Sequence, residues 1–439
     1  MRVLHVGNVA NNGYLNAKLQ RRVGVAADAV CDEWHMISQP EWEDAPLEPV
    51  ADPLAPLIGT EWKRPDWVLS PRTWDPRGEG ERWLVERVRL ALDAPALVAR
   101  YPRFRTQYAP LRPILGHDLR GADLLRAGAW LNRFEGQFGR AGKLFGRYDI
   151  VQAYGIHPIL LLLAGRGRPF VAFEHGTLRE LPFEDDWYGR LLSLAYRTAS
   201  KLIITNPDVV ASARRLELEN TVFIPHPVDE EKYRPGPSEL RAELDAEGWD
   251  FVLVAPSRHD WDIKGTDRML RGFAELVRSG RSRALLLLFE WGLEFDRSRA
   301  LIRELGIEEN VRWSLPLPKL RLIDAYRAAD VVLDQFLIGT FGAVAPEAMA
   351  CGAPVVMAFE PELHAWCFPE PPPLVDARSA EDIYRALARL AADPAQRREL
   401  GVRGREWVER HHGWRLVVDR QLAIYDEVTA AALYSHGVP

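Results

Sequence analysis

Between Asp330 and Val356 the chain reads DVVLDQFLIGTFGAVAPEAMACGAPVV. The run 331–334 reads as a short buried strand, Gly339 and Gly342 mark a loop after it, and a helix follows with Glu347 in its first turn. Cys351-Gly352 makes a tight turn, and a second apolar strand opens at Pro354. Backbone N–H groups at a helix start suit phosphate or sugar oxygens. A carboxylate in that place suits a pair of ribose hydroxyls, as in dinucleotide folds. The stretch therefore points to an α/β fold with a nucleotide-type ligand at the carboxyl end of a strand.

Short β-branched runs alternate with helical patterns along most of the chain, the α/β signature. Strands are expected at Arg2–Val6, 149–153, 169–173, 201–205 and 221–224, then at Phe251–Ala255, Ala284–Phe289, 311–315, 331–334 and 354–358. In Thr266–Arg278 the residues Met269, Leu270, Phe273, Leu276 and Val277 share one helical face. Pro and Gly cluster at 233–237, where the strand pattern restarts, so that stretch reads as a linker. The segment 39–147 breaks the alternation. It carries Trp42, Trp62, Trp67, Trp74, Trp83 and Trp130, and reads either as an aromatic sugar-binding or lipid-facing surface or as an insertion with its own small core.

The 439 residues, 47% hydrophobic and 27% charged, suit two globular domains. A net charge of -6 gives no general attraction to nucleic acid. Met1–Gly7 reads as a strand and turn rather than a leader, and no apolar run reaches the ~20 residues of a membrane helix. The three cysteines, Cys31, Cys351 and Cys367, lack metal-ligand spacing. These features fit a cytoplasmic protein.

The 330–356 stretch resembles the donor-binding signature of glycosyltransferase family 4, retaining transferases of the GT-B fold. Phe341-Gly342 and Glu347-Ala348-Met349-Ala350 match it, and Gly339 stands where the family has its first Glu. The resemblance implies two Rossmann-like domains facing a central cleft. Residues 1–232 would form the acceptor-side domain, with the insertion at about 39–147. Residues 233–413 would form the donor domain, and the terminal helix, within 414–439, would cross back onto the first domain. It implies transfer of a sugar from a nucleotide diphosphate sugar to a hydroxyl of a glycan, glycolipid or small molecule. No cofactor and no metal would be required.

By the same resemblance, Arg258 and Lys264 take up the charge of the leaving diphosphate, and His175 lies near the reacting carbon. Glu347 anchors the ribose, while Phe341, Gly342, Asn12 and Gly13 belong to loops around the donor. Asp334 and Gln335 are candidates for the polar contacts that Gly339 cannot make. Asp260-Trp261-Asp262 has the spacing of a metal–nucleotide motif, but between Arg258 and Lys264 it reads as a solvated loop. The basic stretch from Arg112 to Arg147, with apolar residues interspersed, suits a peripheral membrane contact near lipid-linked acceptors, or an ordinary helix packed on the sheet. Gly339 also leaves two alternatives: a non-catalytic nucleotide-sugar binder, and an epimerase of similar shape.

Overall fold

The computed structural model describes residues 1–439 except 34, 55, 56, 58–61, 72–81, 166 and 436–439. Trp74 lies outside the described residues, as does the side chain of Trp83.

Two all-parallel sheets organise the chain. The first has β1 (Arg2–Val6), β2 (Ala26–Val30), β3 (Val68–Leu69), β4 (Ile150–Tyr154), β5 (Val171–Phe173), β6 (Lys201–Ile204) and β7 (Thr221–Phe223). Their order is β3-β2-β1-β4-β5-β6-β7. The second has β8 (Phe251–Ala255), β9 (Ala284–Phe289), β10 (Val311–Ser314), β11 (Val331–Leu333), β12 (Val355–Met357) and β13 (Val375–Asp376), in the order β10-β9-β8-β11-β12-β13. The inner strands are buried on both faces, and several are continuous apolar runs such as Phe251–Ala255, every residue of which is buried.

In each sheet the strand order reverses once, between β1 and β4 and between β8 and β11. Ligands of open α/β sheets sit beyond the carboxyl ends of the strands at such a reversal. The loops that leave β1, β4, β8 and β11 are therefore the ones that matter for function. Ten of the thirteen strands follow the sequence pattern to within two residues. The other three lack its signals: β2 is AADAV, poor in β-branched residues, and β3 and β13 have two residues each.

The helix Trp414–Ser435 returns to the first sheet and packs on the helix Asn12–Arg22. A buried polar chain fixes it there. The Gln20 side-chain amide donates to Gln421 Oε1 at 2.7 Å, the Gln421 amide donates to Asn16 Oδ1 at 2.6 Å, and Tyr425 donates to Gln152 Oε1 at 2.8 Å. Each of these groups would be costly to leave unpaired, so the chain specifies one docking register as well as adding apolar contact.

The segment 39–147 takes the second of its two readings only in its first part; its later helices join the core of the first sheet. Met36, Trp42, Ala45 and Leu47 form a small core of their own. The helices Arg82–Tyr108 and Gly121–Phe138 pack together, and Arg190 ties the second of them to the helix Trp187–Thr198 through a two-pronged pair with Asp123 at 2.7 and 2.9 Å. Leu124, Phe134, Leu144 and Phe145 are buried in the core of the first sheet. That packing fits the second reading of the basic stretch, an ordinary helix packed on the sheet, since these apolar positions are already used inside the molecule. No helix among the described residues is long and apolar enough to cross a membrane.

Candidate functional site between the two sheets

The loop after β8 folds onto the loop after β11. The Phe336 N–H donates to the Lys264 carbonyl at 2.8 Å, and Ser257 Oγ donates to Asp334 Oδ1 at 2.8 Å. Gly265 has φ +67°, and a Cβ there would stand 3.2 Å from Phe336 Cβ, so the crossing needs glycine. This contact brings together three expected site residues. Lys264 Nζ lies 3.4 Å from Gln335 Oε1 and 3.9 Å from Asp334 Oδ1. Asp334 Oδ2 is buried with no partner. Arg258 stands apart from this group, 47% exposed and paired with Asp260 at 3.1 Å. Asp260 accepts from Arg258 on one oxygen and from the Ile263 N–H, at 2.9 Å, on the other, while Asp262 points outward. Asp260 is thus an internal scaffold of a cationic loop, and Asp262 takes no part in it.

Glu347 sits in the helix Val344–Ala350 and is 8% exposed. Lys319 donates to its Oε1, and Tyr326 donates to its Oε2 at 3.3 Å. Glu347, Lys319 and Gly342 line a cavity of about 370 Å³ between the sheets, whose opposite wall includes Ala10, Asn12, His175 and His226. Nothing lies within 4 Å of a Cβ built on Gly342, so the backbone there faces open space. Phe341 differs: it is buried among His364, Phe368 and Trp407, 5.0 Å from the His364 ring. Its side chain anchors the loop from below. Gly339 has φ +73°, and a Cβ there would meet Glu360 Cγ at 2.7 Å. The position is therefore unsuited to the glutamate that family 4 has there.

On the first sheet the loop from Gly7 to Gly13 is tightly constrained. Ala10 and Asn11 both have positive φ, 48° and 59°, an uncommon conformation for residues with a side chain. A Cβ on Gly13 would lie 2.2 Å from the Gly7 carbonyl oxygen, so only glycine lets the helix Asn12–Arg22 start against this loop. Asn12 then bridges two histidines. Its Oδ1 accepts from His226 Nδ1 at 2.9 Å, and its Nδ2, which donates to the Val9 carbonyl, lies 3.5 Å from His175 Nδ1. Since the Asn12 amide nitrogen can only donate, this contact assigns the lone pair of His175 to Nδ1 and the proton to Nε2. That Nε2 is buried without a partner. Burial, followed by the neighbouring His226, lowers the His175 pKa to about 3. The ring is neutral, with an unused donor.

Glu174, beside it, is fully buried and accepts from the Gly176 N–H at 2.7 Å and the Thr205 N–H at 3.3 Å. It holds the turn that presents His175. Sequence reasoning missed Lys319, Tyr326, Asn206 and His226 as cavity or anchor groups. Lys319 and Tyr326 stand in an ordinary amphipathic helix, Lys319–Ala328, where nothing local marks them. His226 between two prolines was the one available signal.

Residues 238–407 match the family model described as glycosyl transferases group 1. The D-inositol 3-phosphate glycosyltransferase of Saccharomonospora viridis is 39% identical over 214 residues, covering 46% of this chain and 49% of that protein. That of Thermomonospora curvata is 39% identical over 212 residues, covering 45% and 49%. The chain thus spans about half the length of the curated relatives it matches. Among solved structures, sucrose-phosphate synthase from Thermosynechococcus elongatus superposes with a TM-score of 0.62 at 17% identity, over 98% of this chain and 100% of that one. Anabaena HepE in complex with UDP superposes with a TM-score of 0.60 at 14% identity, over 97% and 100%. These two likenesses confirm the expected fold, GT-B, with the terminal helix packed back on the first sheet. Residues 238–407 therefore belong to the glycosyl transferases group 1 family.

Proposed function

We propose that the protein is a retaining glycosyltransferase that moves a sugar from a nucleotide diphosphate sugar to a hydroxyl acceptor. The observation that carries this reading is the shared cavity: Glu347 on one sheet and His175 on the other line the same space. In this reading residues 233–413 bind the donor, and residues 1–232 with the returning helix hold the acceptor.

Glu347 receives the ribose hydroxyls, prepositioned by Lys319 and Tyr326. Lys264 and Arg258 take up the charge that develops on the leaving diphosphate, and Asp334 and Gln335 set the Lys264 ammonium in place. In this reading the two cations take the place of a metal ion on the diphosphate. The backbone at Gly342, held from below by Phe341, faces the sugar or the β-phosphate. Gly13 and Asn12 shape the opposite wall. His175 Nε2–H donates to a sugar hydroxyl close to the reacting carbon. No side chain here stands out as a covalent nucleophile, which favours attack by the acceptor on the face the diphosphate leaves. The diphosphate oxygen then receives the acceptor proton. The D-inositol 3-phosphate glycosyltransferases that match the chain support a sugar donor and a hydroxyl acceptor. The inward packing of the basic segment limits any membrane contact to surface charge.

A thermal-shift panel of UDP-, GDP-, ADP- and dTDP-sugars, run on wild type and Glu347→Ala, tests this reading. One nucleotide class should raise Tm in the wild type and lose its effect in the variant, and turnover with that donor should follow. Binding without transfer to any hydroxyl acceptor would favour the non-catalytic reading that Gly339 keeps open.

A further inference from the structure

Two carboxylates and an imidazole meet at the carboxyl edge of the first sheet, and the proposed transfer uses none of them. Asp32 and Glu33 follow β2, and His157 follows β4. His157 Nε2 lies 2.9 Å from Asp32 Oδ2, and one ligand atom from each of the three residues falls within 4.8 Å of the others.

The imidazole is held in a single orientation. Its Nδ1 is 3.0 Å from the Tyr154 carbonyl oxygen, and the Trp130 ring packs at 5.6 Å. A Cβ on Gly7, at φ +91°, would stand 2.3 Å from Nδ1, so glycine at that position makes the room. A carbonyl oxygen only accepts, so Nδ1 carries the proton and Nε2 of the neutral ring presents a lone pair. That lone pair faces a carboxylate oxygen, which is also an acceptor. Two acceptors at 2.9 Å require a positive charge between them, either a second proton or a metal ion. A second proton meets only that one contact. It leaves Asp32 Oδ1, which is buried with no partner, unsatisfied.

We propose that Asp32, Glu33 and His157 form a divalent-cation site. Ligand atoms ~2.1 Å from an ion stand ~3 Å apart when adjacent on an octahedron, the separation seen between His157 and Asp32. One nitrogen with two carboxylates suits Mn²⁺ or Zn²⁺ better than Ca²⁺ or Mg²⁺, which favour all-oxygen sets. The Nδ1–H bond to a backbone carbonyl is the support that metal-bound histidines usually have. Side-chain exposure is 3% for His157 and 20% for Asp32, so an ion enters from the carboxylate side and keeps open positions there. The cluster belongs to the other sheet from Arg258 and Lys264. It stands independently of the donor reading.

The test is titration of Mn²⁺, and separately Zn²⁺, into the chelator-treated full chain without any nucleotide. It is followed by calorimetry and, for Mn²⁺, by loss of the free-ion electron paramagnetic signal. Wild type should bind one ion per chain, and the ion should raise Tm. Glu33→Gln and Asp32→Asn should each weaken binding at least ~10-fold while leaving the ion-free Tm and circular dichroism close to wild type. His157→Gln, the variant most exposed to misfolding, is a third arm and not the deciding one. Absence of binding in wild type, or a one-to-one site that survives both carboxylate substitutions, would overturn the assignment. The cluster would then be an imidazolium–carboxylate pair only.

Discussion

On the second sheet's side the polar groups are ionic and already partnered: Lys319 with Glu347 in the cavity lining, and, in the loops beyond that lining, Arg258 with Asp260 and Lys264 beside Gln335 and Asp334. On the first sheet's side they are mostly neutral: His175, His226, Asn12 and Asn206, with Glu43 the exception, held by Lys232 at 2.6 Å. Burial lowers the pKa of His175 to about 3 and that of His226 to about 4, so both rings are uncharged at neutral pH. An ionic face can absorb charge that appears on a leaving group. A neutral face of fixed donors and acceptors can orient hydroxyls without attracting counterions. The comparison therefore assigns charge uptake to one wall and sugar orientation to the other, and each assignment can be broken separately.

The largest effect is expected on the ionic wall. Lys264→Ala should lower kcat by ~10²–10³, the usual cost of removing one preorganised transition-state partner, with a smaller change in KM. Equal losses in donor affinity and kcat/KM at unchanged kcat would show that Lys264 only binds ground-state donor. Glu347→Ala comes next. Loss of the charge-assisted ribose hydrogen bonds, about 1.5–3 kcal/mol net, should weaken nucleotide-sugar binding by ~10–10²-fold. Isothermal titration with the nucleotide alone reads this directly. Unchanged affinity would remove Glu347 from the ribose site.

The neutral wall predicts a flat response to pH. Because His175 stays uncharged down to about 3, kcat should show no limb between pH 5 and 8 that disappears in His175→Asn. That variant should cost ~10-fold in kcat through the lost Nε2 donor alone. A limb near pH 6.5 that His175→Asn removes would make the ring a titrating acid or base instead. Stability should behave in the opposite way. His5, His175, His226, His259 and His412 all have lowered folded pKa values, between about 3 and about 4, chiefly through burial. Below their unfolded pKa of about 6.5 the unfolded chain takes up protons that the folded one refuses. The stabilisation is therefore present above pH 6.5 and lost as pH falls towards 4. The urea midpoint should drop between pH 7 and pH 5, as the unfolding free energy falls by up to about 1.4 kcal/mol per pH unit for each histidine.

How much of this was legible in the sequence also divides between the two walls. Arg258, Lys264, Glu347 and the strands behind them stand in local patterns: a strand, a loop with its cations or glycines, then a helix. Such patterns survive in a single sequence because every part lies within about a dozen residues. The first wall is assembled from distant pieces. Asn12, His175 and His226 meet across separations of 163 and 214 positions, and neither bond has a local signal. The segment 39–147 was ambiguous for a related reason: its tryptophans and leucines have the same composition whether they face a ligand or a core. Only the packing of Leu124, Phe134, Leu144 and Phe145 on the first sheet decides the matter. The Lys319–Glu347 and Tyr326–Glu347 contacts show the remaining gap, since an amphipathic helix hides which of its polar residues turns inward.

Gly339 offers the finest test, because it asks whether the ionic wall is missing a part. If the absent glutamate were a simple loss, Gly339→Glu would restore a carboxylate and raise activity. The backbone argues otherwise. At φ +73° a side chain is strained, and the Cβ would meet Glu360 Cγ at 2.7 Å, while Glu360 is itself held by Arg378 at 2.8 Å. Gly339→Ala and Gly339→Glu should both destabilise by about 1–2 kcal/mol, the usual cost of a non-glycine residue in the left-handed region, with no gain in kcat. Adding Glu360→Ala removes the contact and should return only the steric share of that loss, measurable as a double-mutant cycle in Tm. A Gly339→Glu variant that is as stable as wild type and more active would show that the loop can accommodate the glutamate. The ionic wall of this protein would then be incomplete, rather than arranged around glycine.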